Sequence, residues 1–163
     1  MKSKEFEMPA FGVGPIYVLT CLLLTVGGLY LHFKGFLSLG QCKQGQFIFR
    51  ITGLVLILAG LYLWIQAVIV EKINRKTHEG KLITTGVYSL VRNPVYTAFI
   101  FVFTGILLLT GNIILLGLPV FFWAFLTILM KKTEEKWLKN KFGQEYQIYS
   151  SKVNRVIPWF KRK

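Results

Sequence analysis

Acidic residues are scarce in this sequence: 7 Asp and Glu stand against 20 Lys and Arg, a formal net charge of +13. Cysteine is scarcer still. Cys21 and Cys42 are the two present, with no spacing that suits a metal, and Cys21 falls inside an apolar block. That excludes a disulfide framework and a thiolate metal centre, so both read as packing residues or free thiols, and no metal is expected. Internal repeats and low-complexity tracts are also missing. So is the alternation of apolar and polar residues that a half-buried strand or a surface helix requires. No small-residue cleavage site follows the first apolar block. That block is too long for a signal-peptide core, so we expect it to be retained.

What the sequence does have is long apolar runs. Hydrophobic residues make up 53% of the 163, and the mean hydropathy is +0.51. A soluble domain of this length has too little interior for so much apolar side chain. The runs fall at about residues 15–33, 47–70, 95–109 and 112–130. The expected fold is an all-α integral membrane protein, with about four transmembrane helices and a helical C-terminal tail at the interface. We read residues 1–163 as a single membrane domain, with a loop at 71–94 and a tail at 131–163.

Local signals refine this. Pro15 can sit in a first turn, where a missing N–H costs nothing. Thr110-Gly111-Asn112 is the turn signal between two short runs. Fifteen helical residues rise only about 22 Å, so these runs predict a tight hairpin that barely spans or turns back part-way. Pro119 is expected to kink the fourth helix. Gly27, Gly28, Gly53 and Gly60 allow close helix approach, and Gln66 could bridge helices. In the tail, Gly143 is placed to end a helix carrying Trp137, Leu138 and Phe142.

Charge sets the orientation. With four crossings, one side carries Lys2, Lys4, Lys72, Arg75, Lys76, Lys81, Arg92 and the basic tail, and the other carries Lys34, Lys43 and Arg50. Positive residues favour the cytosolic side, which puts both termini in the cytosol, with a prokaryotic plasma membrane as the expected setting. Because the positives flank apolar runs, they are topological, and we expect no nucleic-acid partner.

Residues 84–96 carry the densest chemistry. Gly86 permits a tight turn. Pro94 starts a helix and Asn93 stands where it could cap it. A helix N-terminus beside Arg92 favours an anion. Tyr88 and Tyr96 add flat faces with hydroxyl handles. Such a set could hold a ligand with a carboxylate, a sugar and an aromatic base, and it equally suits an interfacial belt. Glu134-Glu135 follows the last apolar run and breaks the positive pattern. It suits a first helical turn, ribose hydroxyls or a sulfonium cation. Arg155 could clamp a carboxylate. His78 lies in the basic loop, and His32 at the far end of the first run.

Gly86-Val87-Tyr88, Val91-Arg92-Asn93-Pro94-Val95-Tyr96, an apolar hairpin, Glu134-Glu135, and then Phe142-Gly143, Glu145-Tyr146, Tyr149, Val153 and Pro158 together resemble the isoprenylcysteine carboxyl methyltransferase superfamily, which includes the phospholipid N-methyltransferases. The resemblance implies an S-adenosylmethionine-dependent enzyme at the cytosolic membrane face, acting on a lipophilic acceptor that enters from the bilayer. It implies a cofactor site at Gly86, Tyr88, Val91, Arg92, Asn93, Pro94, Tyr96, Glu134 and Glu135. Arg92, Glu135 and Arg155 are the expected catalytic residues. O-methylation of an isoprenylcysteine-like carboxylate is the leading expectation, with a phospholipid amine or a small thiol as alternatives. A non-catalytic interaction or lipid-binding protein remains the reading from another class.

Two residues depart from the family pattern. Asn93 stands where the family has His, and Asn cannot carry a proton near neutral pH. Ala98 stands where Gly is usual, which predicts slightly looser helix packing.

Overall fold

The structure is a computed structural model that describes residues 12–70 and 81–158. The expectations for Lys2, Lys4, Lys72, Arg75, Lys76 and His78 lie outside the described residues, as does the end of the tail.

Five helices make up the described fold. α1 is Gly14–Phe33 and α2 is Gln46–Ile65, the latter running on through a π turn at Gln66–Val70. α3 is Pro94–Leu109, α4 is Gly117–Lys132 and α5 is Glu134–Lys152. Single 3-10 turns occupy Ser38–Gly40, Gly86–Ser89 and Ile114–Leu116. Among the described residues no strand exceeds an isolated bridge. The chain is an all-α integral membrane protein. Among the described residues, three segments are long and apolar enough to cross a membrane: Gly14–Phe33, Gln46–Val70 and Ile114–Lys132. Their outward side chains, such as Leu19, Leu23, Leu54, Leu58 and Val120, are exposed apolar groups that only a lipid solvent accommodates in this number.

α3 differs from the other three. It has 16 residues, a rise of about 24 Å against a hydrocarbon thickness of about 30 Å. It is also the most enclosed, with Thr97, Ala98, Ile100, Phe103, Gly105, Leu107 and Leu108 buried. Small residues let it lie against α2. A Cβ on Gly53 would stand 2.7 Å from the Gly105 carbonyl, and one on Gly60 would stand 2.7 Å from that of Ala98. Only glycine admits such backbone approach, and without a hydrophobic drive between helices this contact is what holds the pair. Ala98 is 2% exposed. Packing there is tight rather than loose, because Gly60 faces it. Gly28 meets Leu115 and Leu118, whereas Gly27 faces open space and plays no part in packing.

α1 packs on α3 and α4 through Tyr17, Cys21, Phe103, Leu107, Phe122, Leu126 and Met130. Cys21 is fully buried, as its packing role requires. Pro119 is the third residue of α4. A first-turn proline needs no N–H partner, so the expected kink is replaced by a change from 3-10 to α geometry just before it.

The tail folds back on the bundle. Thr133 (φ −125°, ψ −90°) separates α4 from α5, and Gly143 (φ 51°, ψ −120°) breaks α5 where the sequence predicts. Only Tyr146 and Tyr149 of α5 are buried. Beyond α5 the chain extends beside the start of α3. Val91 and Asn154 form a parallel bridge, the Arg92 N–H donates to the Asn154 carbonyl at 2.8 Å, and the Thr97 hydroxyl donates to the Val156 carbonyl at 2.9 Å.

Candidate functional site

Two stretches far apart in sequence, the start of α3 and the start of α5, meet at one end of the bundle. Gly86 adopts φ 57°, which opens the 3-10 turn at Gly86–Ser89 and buries Val87 and Tyr88. Pro94 occupies the first position of α3. Asn93 does not cap that helix with its side chain. Its Nδ2 donates to the Arg155 carbonyl at 3.0 Å, which makes Asn93 a tie between α3 and the tail.

Glu134 and Glu135 part company. Successive residues of a helix project about 100° apart, so the two carboxylates face different neighbours. Glu134 turns inward. Its Oε1 accepts the Tyr96 hydroxyl at 2.6 Å and the Val13 N–H at 3.0 Å. A Cβ on Gly12 would overlap that same oxygen. Burial pushes the Glu134 carboxyl above its ordinary range, with the hydrogen bonds from Tyr96 and Val13 offsetting part of the rise.

Glu135 turns toward arginines. Arg155 grips it with two parallel bonds, Nε to Oε1 and Nη2 to Oε2 at 2.8 Å. Arg92 Nη2 adds a contact at 3.3 Å to Oε1, and the Arg92 and Glu135 side chains are 10% and 16% exposed. Arg92 Nη1 donates to the Tyr146 hydroxyl at 3.1 Å. Arg92 Nε is buried with no hydrogen-bond partner. Buried N–H groups are normally satisfied, so this one is a donor without its acceptor. Burial raises the Tyr146 phenol, against the lowering effect of Arg92 beside it.

These groups border a cleft of about 270 Å³ lined by Arg92, Glu135, Tyr146 and three lysines, Lys131, Lys136 and Lys139. The predicted residues therefore divide. Arg92 and Glu135 line the cleft. Tyr96 and Glu134 form a second, inner pair. Tyr88 packs with Leu63, Ala67, Val87 and Ala98, and its carbonyl accepts the Tyr149 hydroxyl at 2.6 Å. Val91 is fully buried and works through its backbone. Arg155, expected to await a carboxylate, is already closed on Glu135. In so enclosed a place an unpaired arginine and an unpaired carboxylate would each be costly.

Tyr146 and the three lysines were not expected as lining residues. Their signal was weak but present: Tyr146 and Tyr149 lie three residues apart in an otherwise polar helix, one shared face on a helical surface.

The model of one protein family, phospholipid methyltransferase, matches residues 48–145, from α2 through the first half of α5. The chain belongs to the phospholipid methyltransferase family. This methyltransferase-family protein is also similar to protein-S-isoprenylcysteine O-methyltransferase B of Arabidopsis thaliana, at 34% identity over 89 residues, 54% of this chain and 44% of that one. It is similar to the protein-S-isoprenylcysteine O-methyltransferase of Schizosaccharomyces pombe, at 33% identity over 86 residues, 52% of this chain and 36% of that one. Methanethiol S-methyltransferase 1 of Bradyrhizobium diazoefficiens matches at 33% identity over 72 residues, 44% of this chain and 24% of that one. The chain thus spans less than half the length of these curated relatives. No solved structure matches it.

Proposed function

We propose that this family member is an S-adenosylmethionine-dependent methyltransferase working at the cytosolic membrane face, by O-methylation of an isoprenylcysteine-like carboxylate on a lipophilic acceptor that enters from the bilayer. The observation that carries this reading is the junction itself. Arg92 at the start of α3 and Glu135 at the start of α5 stand 3.3 Å apart beside a cleft, with an unpartnered Arg92 Nε in the same cluster. The similarity to two isoprenylcysteine O-methyltransferases supports the same reading.

The residues present fit the cofactor. Arg92 offers an unused N–H for a carboxylate, Glu135 can accept a sugar hydroxyl, and Tyr146 contributes an aromatic wall. At about 270 Å³ the cleft lies near the small end of ligand-site volumes, about 300–1,000 Å³, so part of the ligand extends along its open side. When bound, S-adenosylmethionine supplies an electrophilic methyl group. The chain's own groups then bind and align. Arg155 holds Glu135 in place. Arg92, Lys131, Lys136 and Lys139 make the cleft attractive to the carboxylate of a ligand or acceptor. A carboxylate is ionised at neutral pH and needs no base. That suits a site in which Asn93 replaces a proton-carrying histidine. A thiolate shares that charge, and the similarity to a methanethiol S-methyltransferase keeps S-methylation as a second reading.

The test is a membrane lipid extract incubated with purified protein and a methyl-labelled donor. The expected result is a labelled lipid whose label mild base releases, as an ester requires. A base-stable label would move the reading to N- or S-methylation. Calorimetry with S-adenosylhomocysteine should show affinity falling at least tenfold, about 1.4 kcal/mol, in Arg92→Ala and Glu135→Ala. No heat from the unsubstituted protein at millimolar ligand would favour a non-catalytic membrane protein.

A further inference from the structure

The end of the bundle opposite the cleft holds a second hollow, of about 350 Å³. It exists because α1 and α2 both pack on α3 and scarcely on each other. The gap between them has α3 for a floor, with Ile106 and Leu109, and an apolar wall from Leu29 of α1. Its upper rim is polar and consists of His32, Gln41, Gln46 and Arg50.

The donors that matter on this rim belong to Arg50 and His32, since Gln41 Nε2 already donates to the Thr110 carbonyl at 3.4 Å. Arg50 lies in the first turns of α2, a helix with no side-chain cap and no acidic residue in its first turn. Arg50 has no ion pair among the described residues, whose carboxylates, Glu134, Glu135 and Glu145, all belong to α5. The ring of His32 is oriented by Asn112. Asn112 Oδ1 accepts the Ile114 N–H at 3.0 Å, which assigns the amide. Its Nδ2 then donates to the Leu37 carbonyl at 2.7 Å and to His32 Nδ1 at 3.2 Å. Nδ1 is therefore the acceptor, and the neutral ring carries its proton on Nε2, as a donor.

A guanidinium, an imidazole N–H and two amides thus rim a groove whose lower walls are apolar and which, among the described residues, no carboxylate lines. We propose that this groove holds an anionic phospholipid, its phosphodiester on Arg50 and His32 and an acyl chain along Leu29, Ile106 and Leu109. Arginine's planar fork suits phosphate oxygens. Without a carboxylate on the rim, nothing rewards the ammonium of a zwitterionic headgroup, so the site discriminates by charge. The site is separate from the cleft between α3 and α5, and the proposal stands whatever reaction occurs there.

The test uses the full chain in nanodiscs of phosphatidylcholine doped with a phosphatidylglycerol bearing a diazirine on one acyl chain, and a matched phosphatidylcholine probe. After irradiation, labelled peptides are mapped by mass spectrometry. We expect label on α1 near Leu29 and on α3 near Ile106 and Leu109, at least about fivefold stronger from the phosphatidylglycerol probe. Arg50→Gln should remove that preference, and Arg50→Lys, which keeps the charge, should retain most of it. The tail is an internal control, since its labelling should not respond to either variant. Equal labelling by the two probes, or unchanged labelling in Arg50→Gln, would overturn the proposal. So would complete loss of label on adding millimolar inorganic phosphate, because the groove would then be a site for the free ion.

Discussion

The two ends of the helix bundle solve the same problem with different chemistry. Where α3 finishes, the loop before α2 is clasped to the α3–α4 turn by neutral groups. The Cys42 N–H donates to the Gly111 carbonyl and the Ile113 N–H to the Gly40 carbonyl. Asn112, 1% exposed, satisfies both of its side-chain atoms. Where α3 begins, the chain is held by arginines, glutamates and tyrosines, and Arg92 Nε is left without a partner. The neutral clasp around Asn112 is satisfied and fixes geometry, and the donors left at that end belong to Arg50 and His32 beside it. A charged cluster holding an unused donor is more costly to build and is where a ligand gains most.

That contrast can be broken from either end. The largest effect is expected from Glu135→Ala. It strands Arg92 and Arg155 in an enclosed site and should cost about 3–5 kcal/mol, read as a lowered thermal midpoint in detergent. Combining it with Arg155→Ala should cost less than the two single losses added together, because the stranded charge goes too. A simple sum would mean that the pair is not coupled. Next comes Asn112→Ala, which orphans the Leu37 carbonyl and the Ile114 N–H at about 1–3 kcal/mol each. Its loss should leave the affinity for S-adenosylhomocysteine unchanged. A folded Asn112→Ala protein that no longer binds would erase the distinction between the ends.

The smallest effect is a change of slope. Burial raises Glu134 above its ordinary value near 4.5. The folded state then holds its proton more tightly than the unfolded state. The stability this contributes is complete below the ordinary value and is lost as pH rises through the raised one. Glu134→Gln keeps the oxygen that accepts from Tyr96 and Val13 and abolishes the titration. Its stability curve should be flatter than the parent's across the pH range above 4.5 in which the parent loses that proton. Parallel curves would show that Glu134 does not titrate with folding.

Much of this fold is legible in the chain alone. Apolar runs far longer than a soluble core can hide predict the helices, because bilayer thickness sets their length. Gly143 marks the break in α5, and Thr110-Gly111-Asn112 marks the hairpin turn, because left-handed and turn conformations select such residues. Individual side chains are harder. Asn93 reads as a cap but ties down the tail, and Arg155 reads as a ligand clamp but closes on Glu135. Each has several partners within reach of its chemistry, and sequence spacing does not rank them. Gly27 and Gly28 look alike in sequence, yet only Gly28 has a neighbour.

What the sequence determined by itself is the solvent, the number of apolar segments and the stock of polar groups that could be brought together, since each follows from composition and local period. What only the tertiary structure decided is which of those groups meet. Arg92, Glu135 and Arg155 come together across 20 residues and more of chain because the tail pairs with the start of α3. Glu134 and Glu135, adjacent in the chain, are separated because a helix turns between them. Such pairings depend on long-range contacts, whose energies local sequence does not carry.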